Sequence, residues 1–424
     1  MARRVSAAGP AFSAYNLDQM TEEMKIPSFP PLSQRASTHL DLIRGLAAVA
    51  VAANHLRNLF FINFPQLEHK TAPIAVLYAF SALGHQCVMV FFVLSGYFVS
   101  VSVLKFRTLA AWSVQAYAIN RLARLYVVLI PALVVTAACD FAARQLPFGN
   151  LYFNHPVPNF VVVVFAAEDH LKQFFASLFF LQTILSRPFG SNGALWSLAN
   201  EFWYYTIGPL LFVAIASKSH TQRLIAASAA SILLTVLPGP MSRGFVIWLL
   251  GVAVALAAPY SSEIPTWIRG RVVSFVVAGA FIAAALAARR FWTDSEFVGD
   301  LLVGTVFAVL LFVIVYSART KQPGRLYSQM AHGLASFSFS LYAIHFPILV
   351  LLRTALGKYG LWSADAIHIS FGAMLLVSVV AVAWAFSRVT EAYTASVRES
   401  LNVVVGSVLG RWTHPRTKLR RTEV

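Results

Sequence analysis

The sequence predicts an all-α polytopic membrane protein of about ten transmembrane helices, with both termini cytoplasmic and one short re-entrant or interfacial helix. Three observations carry that prediction. The chain is 58% hydrophobic and only 12% charged, about half the charged share of a soluble domain. Apolar runs of roughly 20 residues, the length a hydrocarbon core demands, recur from residue 40 to residue 388. Lys and Arg also divide unevenly between the loops on alternate sides of those runs, as the positive-inside rule requires.

Residues 1–38 are polar, contain Pro and Ser, and carry both signs of charge. They read as a cytoplasmic tail without a cleavable signal, so the first apolar run acts as a signal anchor. The spans follow at 40–62, 85–104 and 122–142, the second holding Ser95-Gly96, a small pair that permits close helix approach. Next come 195–216, 223–238 and 243–259, the last two joined by the turn residues of "PGPMSR". Spans 271–288 and 299–317 precede the turn "TKQPGR". Spans 333–353 and 367–388 complete the membrane domain, 39–388. The basic tail 389–424 is suited to lie on anionic lipid. Segment 171–186, "LKQFFASLFFLQTILS", is short. Were it to cross, every later loop would invert and the charge bias would vanish, so it is expected not to cross.

A formal net charge of +16 would point to nucleic acid in a soluble protein. Here the cations belong to cytoplasmic loops, and no nucleic-acid-binding motif accompanies them, so no nucleic-acid partner is expected. Cys87 and Cys139 fall inside apolar runs and read as packing residues. The histidines are scattered without ligand spacing, so no metal site is expected. No motif specifies an oligomeric state.

Ionisable groups inside a span are costly and point to function. Arg44 and His55 lie eleven residues apart, which returns a helix to within about 20° of its starting direction and separates the side chains by about 16 Å. One face thus carries a cation near the cytoplasmic end and an imidazole deeper in. Arg121 and Arg124, spaced i,i+3 at the start of the third span, face one way and suit phosphate oxygens. Glu201 sits in "ALWSLANEFWYY" near the outer face, one turn from Ser197, where it can pair with a cation or hold an acceptor hydroxyl. Ser338, Tyr342 and His345 share a face of the ninth span. His85, His155 and His170 are weaker polar points. The same set of groups also suits a proton-coupled carrier, but no inverted repeat or matched pair of broken helices is present.

Five blocks, in order, resemble acyltransferase family 3, bacterial integral-membrane O-acyltransferases of surface carbohydrates: "LDLIRGLAAVAVAANH", "VMVFFVLSGYFVS", "NRLARLYVVLIPAL", "ALWSLANEFWYY" and "FSLYAIHFPI". In the family the fourth block often carries two adjacent acids; here Asn200 precedes a lone Glu201. The resemblance implies an enzyme of the bacterial inner membrane that moves an acetyl group from cytosolic acetyl-CoA to a hydroxyl of a surface or exported carbohydrate. The coenzyme's phosphates then fall to Arg44, Arg121 and Arg124. His55 serves as general base or as transient acyl carrier. Glu201 serves on the acceptor side, and His345 or Tyr342 stabilises the thioester oxyanion or orients His55.

Overall fold

The computed structural model describes residues 32–104, 113–148, 169–263, 265–268, 270–291, 296–316 and 322–413. Residues 1–31 of the expected tail, His155, and the end of the basic tail from 414 lie outside the described residues. Among the described residues the chain is helical, with only isolated bridges at Phe61–Trp362 and Gln182–Ser186.

Seven helices make up the first part: α1 (Gln34–Phe60), α2 (Ala72–Ser81), α3 (Gly84–Leu104), α4 (Val114–Gln145), α5 (His170–Leu178), α6 (Trp196–Ala216) and α7 (His220–Val236). The second part adds α8 (Gly239–Leu256), α9 (Arg271–Phe291), α10 (Glu296–Val315), α11 (Arg325–Ala335), α12 (Ser338–Ala355), α13 (Ala366–Val389) and α14 (Thr394–Thr413). Several begin where a side-chain oxygen satisfies an orphan backbone N–H: Ser33, Ser113, Asp169, Ser219 and Asp365 cap α1, α4, α5, α7 and α13.

Each of the ten predicted spans overlaps a helix, and among the described residues eight helical stretches are long and apolar enough to cross a membrane. Helices α6 and α7 fall short of that mark. Ser197, Asn200 and Glu201 dilute the apolar character of α6, and α7 has only 17 residues. In segment 171–186 the helix α5 has nine residues, about 14 Å of rise, less than half a hydrocarbon core. Leu171, Phe175 and Phe179 form an exposed apolar stripe on it, the character of an interfacial helix. The chain then turns through positive φ at Phe180 and Thr183. The predicted span 333–353 is broken at Ser336–Phe337, so the membrane-length helix is α12 and α11 stands apart.

Helix α12 is the central post. It packs on α1, α4 and α13, which encloses Tyr342 and His345. The tightest helix pair is α3 with α8, and its cause is a pair of glycines. A Cβ at Gly96 would sit 2.0 Å from the Trp248 carbonyl oxygen, and one at Gly251 would sit 2.0 Å from that of Val93. Trp248 donates through Nε1 to Ser95 Oγ at 3.1 Å across the seam.

Gly251→Ala is therefore expected to force the helices apart, at a cost of about 1–3 kcal/mol as for other overpacked cores. Gly279, with nothing within 4 Å of its position, provides the control. Heating detergent-purified variants before size-exclusion chromatography should show a lowered midpoint for Gly251→Ala and none for Gly279→Ala.

Candidate active site

Helix α1 carries Arg44 toward one end of the bundle and His55 toward the other. Arg44 Nη2 donates to Asp41 Oδ1 and to the Ala335 carbonyl, both at 3.3 Å. That carbonyl is available because α11 ends there, and a helix C-terminus leaves carbonyls without intrahelical partners. It also favours a cation. Asp41 Oδ2 accepts from His332 Nδ1 at 2.7 Å, so one carboxylate ties α1 to α11.

A cavity of about 380 Å³ opens beside Arg44. Its polar lining includes Asp41, Arg44, Arg121, Arg124, Glu201 and Tyr342. Arg121 is held in place by Ser102 Oγ at 2.8 Å and by the rings of Tyr117 and Tyr205, whose centroids lie 5.4 and 5.1 Å from its guanidinium carbon. Cation–π contacts of this kind fix a planar guanidinium without consuming its donors. Arg124 is exposed. Glu201 accepts the Tyr205 hydroxyl, so the acid expected near the outer face opens into the same cavity as the arginines. Glu391, which the sequence did not single out, accepts from the Ser340 hydroxyl at 2.9 Å within electrostatic reach of Arg44 and Arg124.

At its far end the cavity meets Tyr342. The Tyr342 hydroxyl lies 3.1 Å from the Ala194 carbonyl and 2.5 Å from Ser197 Oγ. A carbonyl only accepts, so Tyr342 donates to Ala194 and Ser197 donates to Tyr342. The floor of the cavity is thus tied to the 3₁₀ turn Gly193–Leu195 that leads into α6. Asp140 supports that turn from α4: its Oδ2 accepts the Ser191 backbone N–H at 2.8 Å.

His55 and His345 do not line the cavity. They form a pair beyond its floor, with the Tyr342 and His345 ring centroids 5.9 Å apart. His345 is fully buried. Its Nδ1 lies 2.9 Å from the carbonyls of both Leu341 and Tyr342, so Nδ1 carries the hydrogen and the neutral ring accepts at Nε2. That Nε2 lies 2.7 Å from His55 Nδ1. His55 therefore donates through Nδ1, and its own Nε2 holds the lone pair. The planes agree within 3° with centroids 5.0 Å apart. With so short an N–N contact the rings lie side by side, the geometry of an in-plane hydrogen bond. The rings of Phe346 and His55 meet at 74° with centroids 4.9 Å apart.

The arrangement thus supplies cations at one mouth, a narrow cavity, and a buried imidazole whose tautomer is set by main-chain carbonyls. No group of three or more possible metal ligands occurs among the described residues. A family model described as an acyltransferase domain matches residues 38–388. No curated protein and no solved structure matches the chain.

Proposed function

Because the chain belongs to acyltransferase family 3, we propose that it moves an acetyl group from cytosolic acetyl-CoA to a hydroxyl of a surface or exported carbohydrate. The observation that supports this reading is the convergence of Arg44, Arg121, Arg124 and Tyr342 on one cavity. The donor's chemistry fits the residues present. Arg44 and Arg121 hydrogen-bond within the protein through Nη2, and a guanidinium carries further donors that suit a polyanion at the mouth. The cavity volume lies within the roughly 300–1,000 Å³ of small-molecule sites. It admits a slender arm while the charged nucleotide stays at the mouth.

His55 then acts through Nε2. It takes the proton of the acceptor hydroxyl as the hydroxyl oxygen attacks the thioester carbonyl. The carbon–sulfur bond breaks, and the departing thiolate takes the proton from His55. Tyr342 has to turn aside for the thioester to meet His55, because the cavity ends against its ring. The same lone pair suits an acyl-His55 route. Incubation with labelled acetyl-CoA alone separates the two, since only the second leaves label on the protein.

His345 is a positioning residue in this scheme. His345→Ala removes the acceptor that holds His55 Nδ1–H. Transfer is expected to fall by roughly 10- to 100-fold, by analogy with the loss of the partner that orients a metal-bound histidine. Affinity for CoA should stay unchanged. A pH profile of the variant checks the role, because an unoriented His55 shifts the profile and a merely structural loss scales it.

Mass spectrometry of surface glycans with and without the gene tests the function itself. A loss of one acetyl group per repeat is expected when the gene is absent or carries His55→Ala. Unchanged glycans in both cases, with no CoA binding by the purified protein, would overturn it.

A further inference from the structure

A second histidine site lies outside the cavity just described. His85 Nε2 is 2.7 Å from Asp300 Oδ1, with His85 40% and Asp300 18% exposed. A carboxylate only accepts, so His85 donates through Nε2 and presents Nδ1 on its other edge. The Trp196 ring lies within 14° of parallel to the imidazole, centroids 6.4 Å apart. Glu296 and Arg289 are within electrostatic reach of His85.

The pair is placed at the end of the cavity remote from Arg44. Val88, Phe92 and Ser95 of α3 line the cavity. His85 precedes Val88 by three residues and Phe92 by seven, which puts it on the same helix face, about one turn farther out. Trp196 is the neighbour of Ser197, another lining residue, and its ring meets Phe92 edge-on at 6.2 Å. The α3 segment that holds His85 also touches α1 next to His55: a Cβ at Gly84 would lie 2.6 Å from that of Asn54. A pair that served only to lock α3 to α10 has no need of a half-exposed imidazole or a half-buried indole facing it.

Resting on the acyltransferase reading above, we propose that His85, Asp300 and Trp196 form the subsite that receives a sugar ring of the acceptor. A sugar hydroxyl is both donor and acceptor, so it satisfies His85 Nδ1 in either protonation state and Asp300 as well. The flat indole face covers the apolar C–H face of the ring. The acceptor hydroxyl thereby enters from the side opposite the coenzyme, beside the histidine pair.

Diethyl pyrocarbonate labelling of the purified full-length protein, read peptide by peptide, tests this without any acyl donor. The octyl glycosides of glucose, galactose, mannose and rhamnose are compared with a sugar-free amine-oxide detergent. His332, 51% exposed at the Arg44 end of the bundle, is the internal reference. At least one glycoside is expected to slow labelling of His85 threefold or more while His332 labels at an unchanged rate. Trp196→Ala should remove that protection. Equal labelling of His85 in all five detergents, or parallel slowing of both histidines, would overturn the proposal. A second arm uses the protecting glycoside as acceptor: Asp300→Asn is expected to raise its KM about tenfold with CoA affinity unchanged, and an unchanged KM contradicts the assignment. Failure of the labelling arm with intact CoA binding sinks the subsite alone. Protection without any CoA binding sinks the acyltransfer reading alone.

Discussion

Replacing His55 by alanine is expected to lower acetyl transfer about 10²–10⁴-fold, the contribution of a positioned general base, while CoA binding stays at the level of the unaltered protein. The reason is geometric. His55 contributes no atom to the cavity wall, so its loss removes no coenzyme contact. It removes the one imidazole whose lone pair is fixed by a relay from the Leu341 and Tyr342 carbonyls through His345. His55→Gln should be equally inactive, since an amide offers no basic nitrogen. Transfer assayed with radiolabelled acetyl-CoA, alongside calorimetric CoA titration, separates the two effects. A variant that transfers acetyl normally would show that His55 serves packing alone.

The second large effect is expected at the arginine mouth. Arg121→Ala should weaken CoA binding roughly 10- to 100-fold, from the about 1.5–3 kcal/mol of a hydrogen bond to a charged group. Arg124→Ala should weaken it less, and its effect should shrink at high salt. The difference follows from their surroundings. Arg121 is held by Ser102 and by two tyrosine rings, so it is poised and partly shielded from solvent. Arg124 is exposed, where ions screen its charge within a Debye length of about 8–10 Å. Arg121→Lys should not restore affinity, because an ammonium neither stacks on Tyr117 and Tyr205 nor offers a planar fork. Calorimetry at two ionic strengths checks all three. Equal affinity in Arg121→Ala and the unaltered protein would remove the coenzyme from this mouth.

Local periodicity reaches only groups that lie on one helix. The eleven-residue spacing of Arg44 and His55 fixes their shared face, and the i,i+3 spacing of Arg121 and Arg124 sets both arginines on the cavity wall. Pairings between distant segments carry no such signal. His55 meets His345 across 290 positions, and nothing local says that two main-chain carbonyls would decide the tautomer of both rings. Asp41–His332, His85–Asp300 and Glu391–Ser340 are long-range for the same reason. A partial cue existed at Asp300: an acid at the start of a largely apolar helix, one turn after Glu296, asks for a cationic or hydrogen-bonding partner, and His85 was a candidate. Span boundaries blurred where hydropathy runs on through a break. Residues 333–353 contain no turn signal at Ser336–Phe337, yet the chain leaves the helix there, and the freed Ala335 carbonyl receives Arg44. Polar residues within α6 had the opposite effect, since Ser197, Asn200 and Glu201 lower its apolar character, and Ser197 and Glu201 line the cavity.

All of the chemistry above depends on where one elongated anion lies. A cryo-electron-microscopy map of the protein with bound CoA reads that position directly. Phosphate density within hydrogen-bonding reach of Arg121 and Arg124, with the thiol arm running toward Tyr342, is the expected result. Coenzyme density on any other surface, with the cavity between Arg44 and Tyr342 left vacant, would contradict it.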